Sequence, residues 1–144
     1  MSSKTEQVLQ ALYSLLQTIP EATVERNIAV PAKIPPGGLI VLRDGDPGEP
    51  DTALGGFGSV YYSHRVEVEV HVQEADPATR DIAIDDLLVA VGTALEVDPT
   101  LGGLAFGMSY GRPSSDLEPI DGAPAIKSAV IEITVEYESD APLA

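Results

Sequence analysis

From Val66 to Gln73 the chain alternates without a slip: Val66, Val68, Val70 and Val72 are apolar, and Glu67, Glu69, His71 and Gln73 are polar. Near the end it does so again, with Ile131, Ile133, Val135 and Tyr137 set against Glu132, Thr134, Glu136 and Glu138. Successive side chains of a strand point to opposite faces, so this period of two fits a half-buried β-strand and not a helix. Both segments need a layer with one covered face and one face that tolerates carboxylates, because an unpaired buried carboxylate is costly. That limits the fold to a sheet roofed on one side.

The roof is legible as two helices. Ser3 and Glu6 have capping-box spacing, and Val8, Leu9, Leu12, Leu15, Leu16 and Ile19 share one face, predicting a helix over Lys4 to Thr18 stopped by Pro20. Asp76 before Pro77 reads as an N-cap and first-turn proline. Ile84, Leu87, Leu88, Val91 and Leu95 then form a single apolar stripe, ended by Asp98-Pro99. Further strands are expected around Val24 to Val30, over Leu39 to Leu42, over Val60 to Gln73, at Leu104, Phe106, Met108 and Tyr110, and over Ala129 to Glu138. Arg43 to Gly58, rich in Gly, Pro and Asp, reads as a long projecting loop, Gly111 to Pro124 as a polar loop, and Ser139 to Ala144 as a frayed tail. The expected fold is α+β: a single two-layer domain over residues 1–144, mainly antiparallel sheet, with two amphipathic helices on one face.

Composition narrows the function classes. A chain of 144 residues suits one domain. With no cysteine it has no disulfide, thiolate cluster or cysteine nucleophile. No run of about 20 apolar residues suggests a membrane span, and Met1 to Gln10 lacks a secretory pattern, so a soluble product of the cytoplasm is expected. Twenty-three acidic against eight basic residues give a formal charge of −15, which repels phosphate backbones and argues against a nucleic-acid groove.

The candidate chemistries are thin. His64 and His71 are an odd number of residues apart on one strand and so face opposite ways, which prevents a shared metal. Glu67, Glu69 and His71 do share a face, but an ordinary hydrated sheet face explains them better than a divalent ion. The acidic run Asp44, Asp46, Glu49 and Asp51 lacks the glycine and closing glutamate of a calcium loop. Gly55-Gly56-Phe57-Gly58 leads into a strand, whereas phosphate cradles open onto a helix. Ser114, Ser115 and Asp116 have no base nearby in sequence, and Tyr61, Tyr62, Phe106 and Tyr110 fit core or interface roles better than base stacking. No catalytic residue, cofactor site or metal site is expected, and the chain reads as one that works through its surfaces.

Three segments, in order, carry a resemblance: Ser63-His64-Arg65-Val66-Glu67-Val68-Glu69-Val70-His71-Val72, then Leu95-Glu96-Val97-Asp98-Pro99-Thr100-Leu101-Gly102-Gly103-Leu104-Ala105, then Val130-Ile131-Glu132-Ile133-Thr134-Val135-Glu136-Tyr137. With the helices before and between them, the chain resembles the tail terminator proteins of long-tailed phages and related gene transfer particles. The resemblance implies a structural virion protein, made in the host cytoplasm, that forms a homo-hexameric ring at the head-proximal end of the tail. Its partners would be its own copies, the tail tube protein and the head–tail connector or stopper; a connector or minor tail protein of similar fold is the neighbouring assignment. A strand edge and the loop residues Arg43, Asp44, Asp46, Glu49, Asp51 and Phe57 are the expected reach toward a neighbour or the tube. Glu67, Glu69, Glu132 and Glu136 are the expected lining of the bore, past which DNA slides unbound because like charges repel. The rivals are a small ligand-binding α+β domain and an oligomeric adaptor unrelated to phages.

Overall fold

A computed structural model describes residues 1–52 and 59–144. In chain order the elements are α1 (Lys4–Leu16), β1 (Thr23–Arg26), β2 (Leu39–Asp46), β3 (Asp51–Thr52), β4 (Val60–Gln73), α2 (Pro77–Val97), β5 (Gly107–Tyr110), β6 (Ser114–Glu118) and β7 (Ile126–Ser139). Among the described residues seven strands make one mixed sheet in the order β1-β2-β4-β7-β5, with β3 on β4 beyond the end of β2 and β6 on β7 beside β5. Only β1 and β2 run parallel. The expected α+β fold is the observed one.

The two alternating segments are the spine. β4 and β7 pair in unbroken register from Val60 opposite Ser139 to Gln73 opposite Ile126. Val66, Val68 and Val70 therefore lie beside Ile133, Ile131 and Ala129, all at most 5% exposed. Both helices cover this face. Val8, Leu9, Leu12 and Leu16 of α1 and Ile84, Leu87, Val91 and Leu95 of α2 join one core with it, each large aliphatic contributing about 1.5–3 kcal/mol of burial. Ser3 Oγ accepts from Glu6 N, and Asp76 Oδ2 from Thr79 N, so both helices start at their expected caps.

Several expectations need correction. Arg43 to Gly58 is not one loop: β2 runs on to Asp46, and β3 resumes the same line against β4, so its described part belongs largely to the first arm of a hairpin with β4. A register shift between Arg43 and Asp46 holds Gly45 at φ +65°, where an added Cβ would lie 1.9 Å from the Arg65 carbonyl oxygen. Residues 53–58, Phe57 among them, lie outside the described residues. The polar segment 111–124 contains β6, an exposed edge strand. The tail expected to fray turns back instead: Ala144 O accepts from Lys4 N, and Ser139 Oγ lies 2.8 Å from Ala141 O. α2 has more than one apolar stripe, since Ile82, Val89 and Val97 are 62–74% exposed on its outer side. A roof helix meets the sheet along one face only.

The outer face of the sheet is not bare either. The connection from β1 to the parallel β2 returns over it, and Ile34 packs on Leu39, Val41 and Ile126, with Ile28 and Ile120 beside them, as a second small core.

Candidate functional site: the outer face, its corner network and an end cleft

On the outer face the four glutamates expected to act together separate into two groups. Glu67 lies directly opposite Glu132, and Glu136 opposite Ser63; these three glutamates are exposed. Like charges across a non-covalent strand pair are destabilising. Glu69 differs. Arg43 Nε donates to its Oε2 at 2.9 Å, and His71 Nε2 lies 3.1 Å from its Oε1, leaving the side chain 17% exposed. Burial raises the Glu69 carboxyl, but the bonds from Arg43 and His71 outweigh it and hold it below its ordinary value. Glu69 thus anchors the second core, as Arg43 Nη1 also donates to Ile28 O and His71 Nδ1 lies 2.5 Å from Ser128 Oγ.

The residues expected to reach a neighbour also divide. Arg43 and Asp44 sit on β2 and are committed inside the chain; Asp46, Glu49 and Asp51 are exposed around the 47–50 turn, with Asp46 Oδ1 accepting from Gly48 N.

At the corner where α1 meets β1, β2, β4 and β7, two polar chains converge. Arg26 of β1 donates through Nη1 to Glu6 Oε2 and through Nε to Asp44 Oδ1, both at 2.8 Å. The bonds to Glu6, then to Asp44, raise the guanidinium above its ordinary value; Arg26 in turn holds Glu6 low. Burial raises Asp44, yet its bonds from Arg26 and Asn27 leave it low as well. Beside it His64, 1% exposed, places Nε2 2.6 Å from the Asp44 carbonyl oxygen, so Nε2 carries the proton. Nδ1 then accepts from the Tyr137 hydroxyl at 2.9 Å, and Tyr137 Oη accepts from Thr5 Oγ1 at 2.9 Å. Burial holds His64 below its ordinary value, in the neutral form this chain of bonds needs. This network was not legible in the sequence. One signal was there: His64 falls in the buried phase of the Val60 to Val72 alternation.

At the opposite end of β4 lies a cleft of about 880 Å³, walled by Ile19, Ile34, Pro36, Val72, Leu87 and Ala90, with Lys33, Glu21, Glu74 and Asp86 among its polar lining. It too was missed, because its walls come from the α1–β1 turn, the β1–β2 connection, α2 and the segment before β7. At the near end of β4 the Tyr61 and Phe106 rings stack with centroids 6.2 Å apart, 36% and 62% exposed.

Among the described residues no group of three or more His, Asp or Glu side chains has the geometry to hold a metal ion. No helix of the described chain is long and apolar enough to cross a membrane. Ser114, Ser115 and Asp116 lie on β6, and both histidines are bonded elsewhere.

No protein-family model matches the chain, and no curated sequence matches it. Among solved structures it is similar to a chain of the virion of a native gene transfer agent particle, at 19% identity and a TM-score of 0.42, over 93% of this chain and 92% of that one. It is also similar to a sheath/tube terminator of an extracellular contractile injection system in the extended state, at 12% identity and a TM-score of 0.45. That second likeness covers 100% of this chain and 62% of the other.

Proposed function

We propose that this chain is a structural subunit of a tailed phage or gene transfer particle, closing the head-proximal end of the tail tube as a terminator ring. What carries this reading is where the three family-like segments fall: two of them are β4 and β7, the paired spine of the sheet, and the third is the α2 end and the turn into β5. The likeness thus follows the framework of the fold and not one surface motif. Six copies joined side by side would halt tube growth and offer the head connector a surface, with the tube protein below. The sheet is open, with β1 at one border and β5 with β6 at the other, so lateral pairing between copies has unpaired backbone to use. The exposed Glu67, Glu132 and Glu136 would face the bore, where DNA passes without being held. Glu69, held by Arg43, would not contribute. A connector or minor tail protein is the nearest variant of this role.

The cleft gives one observation in favour of a small-ligand domain, since its volume falls in the usual range for such sites. Its central amide does not support that reading: Gln73 is satisfied at both ends, by Ile34 N and Pro124 O.

Electron microscopy of particles from a strain lacking the gene tests the proposal. Overlong tails, or heads and tails left unjoined, are expected. Particles of normal length and normal joining refute it, as does absence of the polypeptide from mature particles.

A further inference from the structure

We infer that the end cleft is the docking site for a segment of a different protein that carries aliphatic or aromatic side chains next to Lys or Arg. Both halves of that specification come from the lining: Ile19, Ile34, Val72 and Leu87 make apolar walls, while Glu21, Glu74 and Asp86 outnumber Lys33. Among the described residues none of these three carboxylates is in an ion pair, so their charge is open to a partner. A Lys or Arg side chain suits such a place, because its methylene stem lies along apolar surface while its charged head stays at the polar rim. Like charges brought together repel, so an acidic rim also turns acidic partners away. A second copy would bring a formal charge of −15 to this rim, and the occupant is therefore a basic chain. Nothing in this assignment requires the terminator reading, under which the occupant would come from the tube or connector protein.

The apolar surface does not stop at the cleft mouth. Neighbouring residues of a helix are about 100° apart around its axis, so Ile82 and Val89 stand beside Ala83 and Ala90 of the cleft wall, and they are 63% and 62% exposed. Asp86 comes four residues after Ile82 and three before Val89, which places it between them on one side of α2. A segment crossing this rim meets an apolar side chain on each flank of a carboxylate. The cleft is also held in shape from within. Gln73 Nε2 donates to Pro124 O and Gln73 Oε1 accepts from Ile34 N, which ties the segment before β7 to the β1–β2 connection. Gly37 brings that connection against the α1–β1 turn, where an added Cβ would lie 2.1 Å from the Glu21 carbonyl oxygen. A preformed cleft has little freedom to lose on being filled, so more of each contact is kept as affinity.

Amide shifts of the full chain report the site through its own glycines: Gly37, Gly38 and Gly122 line the cleft, while Gly107 and Gly111 lie on β5 and just after it. The probes are a short synthetic peptide alternating Lys with Leu, the same peptide with Glu for Lys, and the same with Ser for Leu. The Lys–Leu peptide should move Gly37, Gly38 and Gly122 at lower concentration than Gly107 or Gly111. Calorimetry should find it bound roughly tenfold or more tightly than either counterpart, the factor of about 1.4 kcal/mol. Asp86→Lys should lower that affinity roughly tenfold, and Ala90→Phe, which fills the cleft without changing its charge, should do the same. Asp140→Lys, an equal change of charge at an exposed position beyond the far end of β7, should leave it within about twofold. Circular dichroism melts check that each variant folds. Equal losses in Asp86→Lys and Asp140→Lys, or equal binding of the Lys–Ser peptide, would mean plain attraction to an acidic protein and overturn the site. Tighter binding of the Glu–Leu peptide, shifts that begin away from the cleft, or no binding by any peptide overturn it too. Self-association of the free chain that Ala90→Phe abolishes overturns it in favour of a second copy. The particle phenotype judges the terminator reading separately.

Discussion

Replacing Tyr137 with Phe removes one oxygen from the corner network and changes nothing else in shape. The Tyr137 ring is 1% exposed and packs on Tyr62 and His64 with centroids 5.4 and 5.9 Å away, contacts that Phe keeps. What is lost is the donor to His64 Nδ1 and the acceptor for Thr5 Oγ1. His64 is 1% exposed, so its Nδ1 is left as a buried acceptor without a partner, which costs about 1–3 kcal/mol. At about 2–4 °C per kcal/mol for a domain near this size, the midpoint should fall by about 2–12 °C. The control is Tyr62→Phe, the same change on the neighbouring strand. Among the described residues Tyr62 Oη reaches only Pro142 O, at 3.4 Å, so its loss should cost under about 1 kcal/mol. Urea unfolding reads both, with a shifted midpoint and an unchanged m-value expected. In a His64→Leu background the Tyr137→Phe cost should shrink by at least about 0.5 kcal/mol, because the two groups share one bond. Equal costs for the two tyrosines, or additivity with His64→Leu, would show that the network does not hold α1 to the sheet.

Stability should fall with acid in two stages. His64 is lowered from 6.5 in the fold, so its contribution is complete above that pH and declines as pH drops below it toward the folded value. Glu6 and Glu69, lowered from 4.5, and Asp44, lowered from 3.8, hold their contributions above those values and lose them as pH falls further. A flat profile of unfolding midpoint from neutral pH to about pH 4 would contradict the His64 assignment, and a flat profile continued to about pH 2 would contradict the carboxylate assignment as well. Gly45→Ala should destabilise by more than about 1 kcal/mol, because the site needs positive φ and has no room beside Arg65 O; an unchanged urea midpoint would count against the bulge. Glu67→Gln should stabilise the free protein by about 0.2–1 kcal/mol by relieving Glu132, with the gain shrinking in high salt. No change would mean the opposed pair is screened or separated, and a loss would mean that Arg43, opposite Glu67 on β2, attracts it more than Glu132 repels it.

Much of this molecule was written locally. The alternation around Val66 and around Ile133 set β4 and β7, and caps at Ser3 and Asp76 set both helices, since a period and a cap are properties of neighbouring residues. β6 was hidden by composition: Ser114–Glu118 is polar and exposed, and only the pairing with β7 makes it a strand. The Arg43–Asp46 extension was hidden by Gly45 and its neighbours, which read as a turn until β4 lies beside them. Tertiary structure alone decided that Glu69 is bound by Arg43 while Glu67 stays in water, that Leu39 and Val41 gain a second core, and that His64 meets Tyr137 and Asp44. Each of these needs groups from strands far apart in the chain to arrive within hydrogen-bonding or packing distance. No local pattern encodes which distant segment arrives, because that choice is made by the burial of the whole sheet at once.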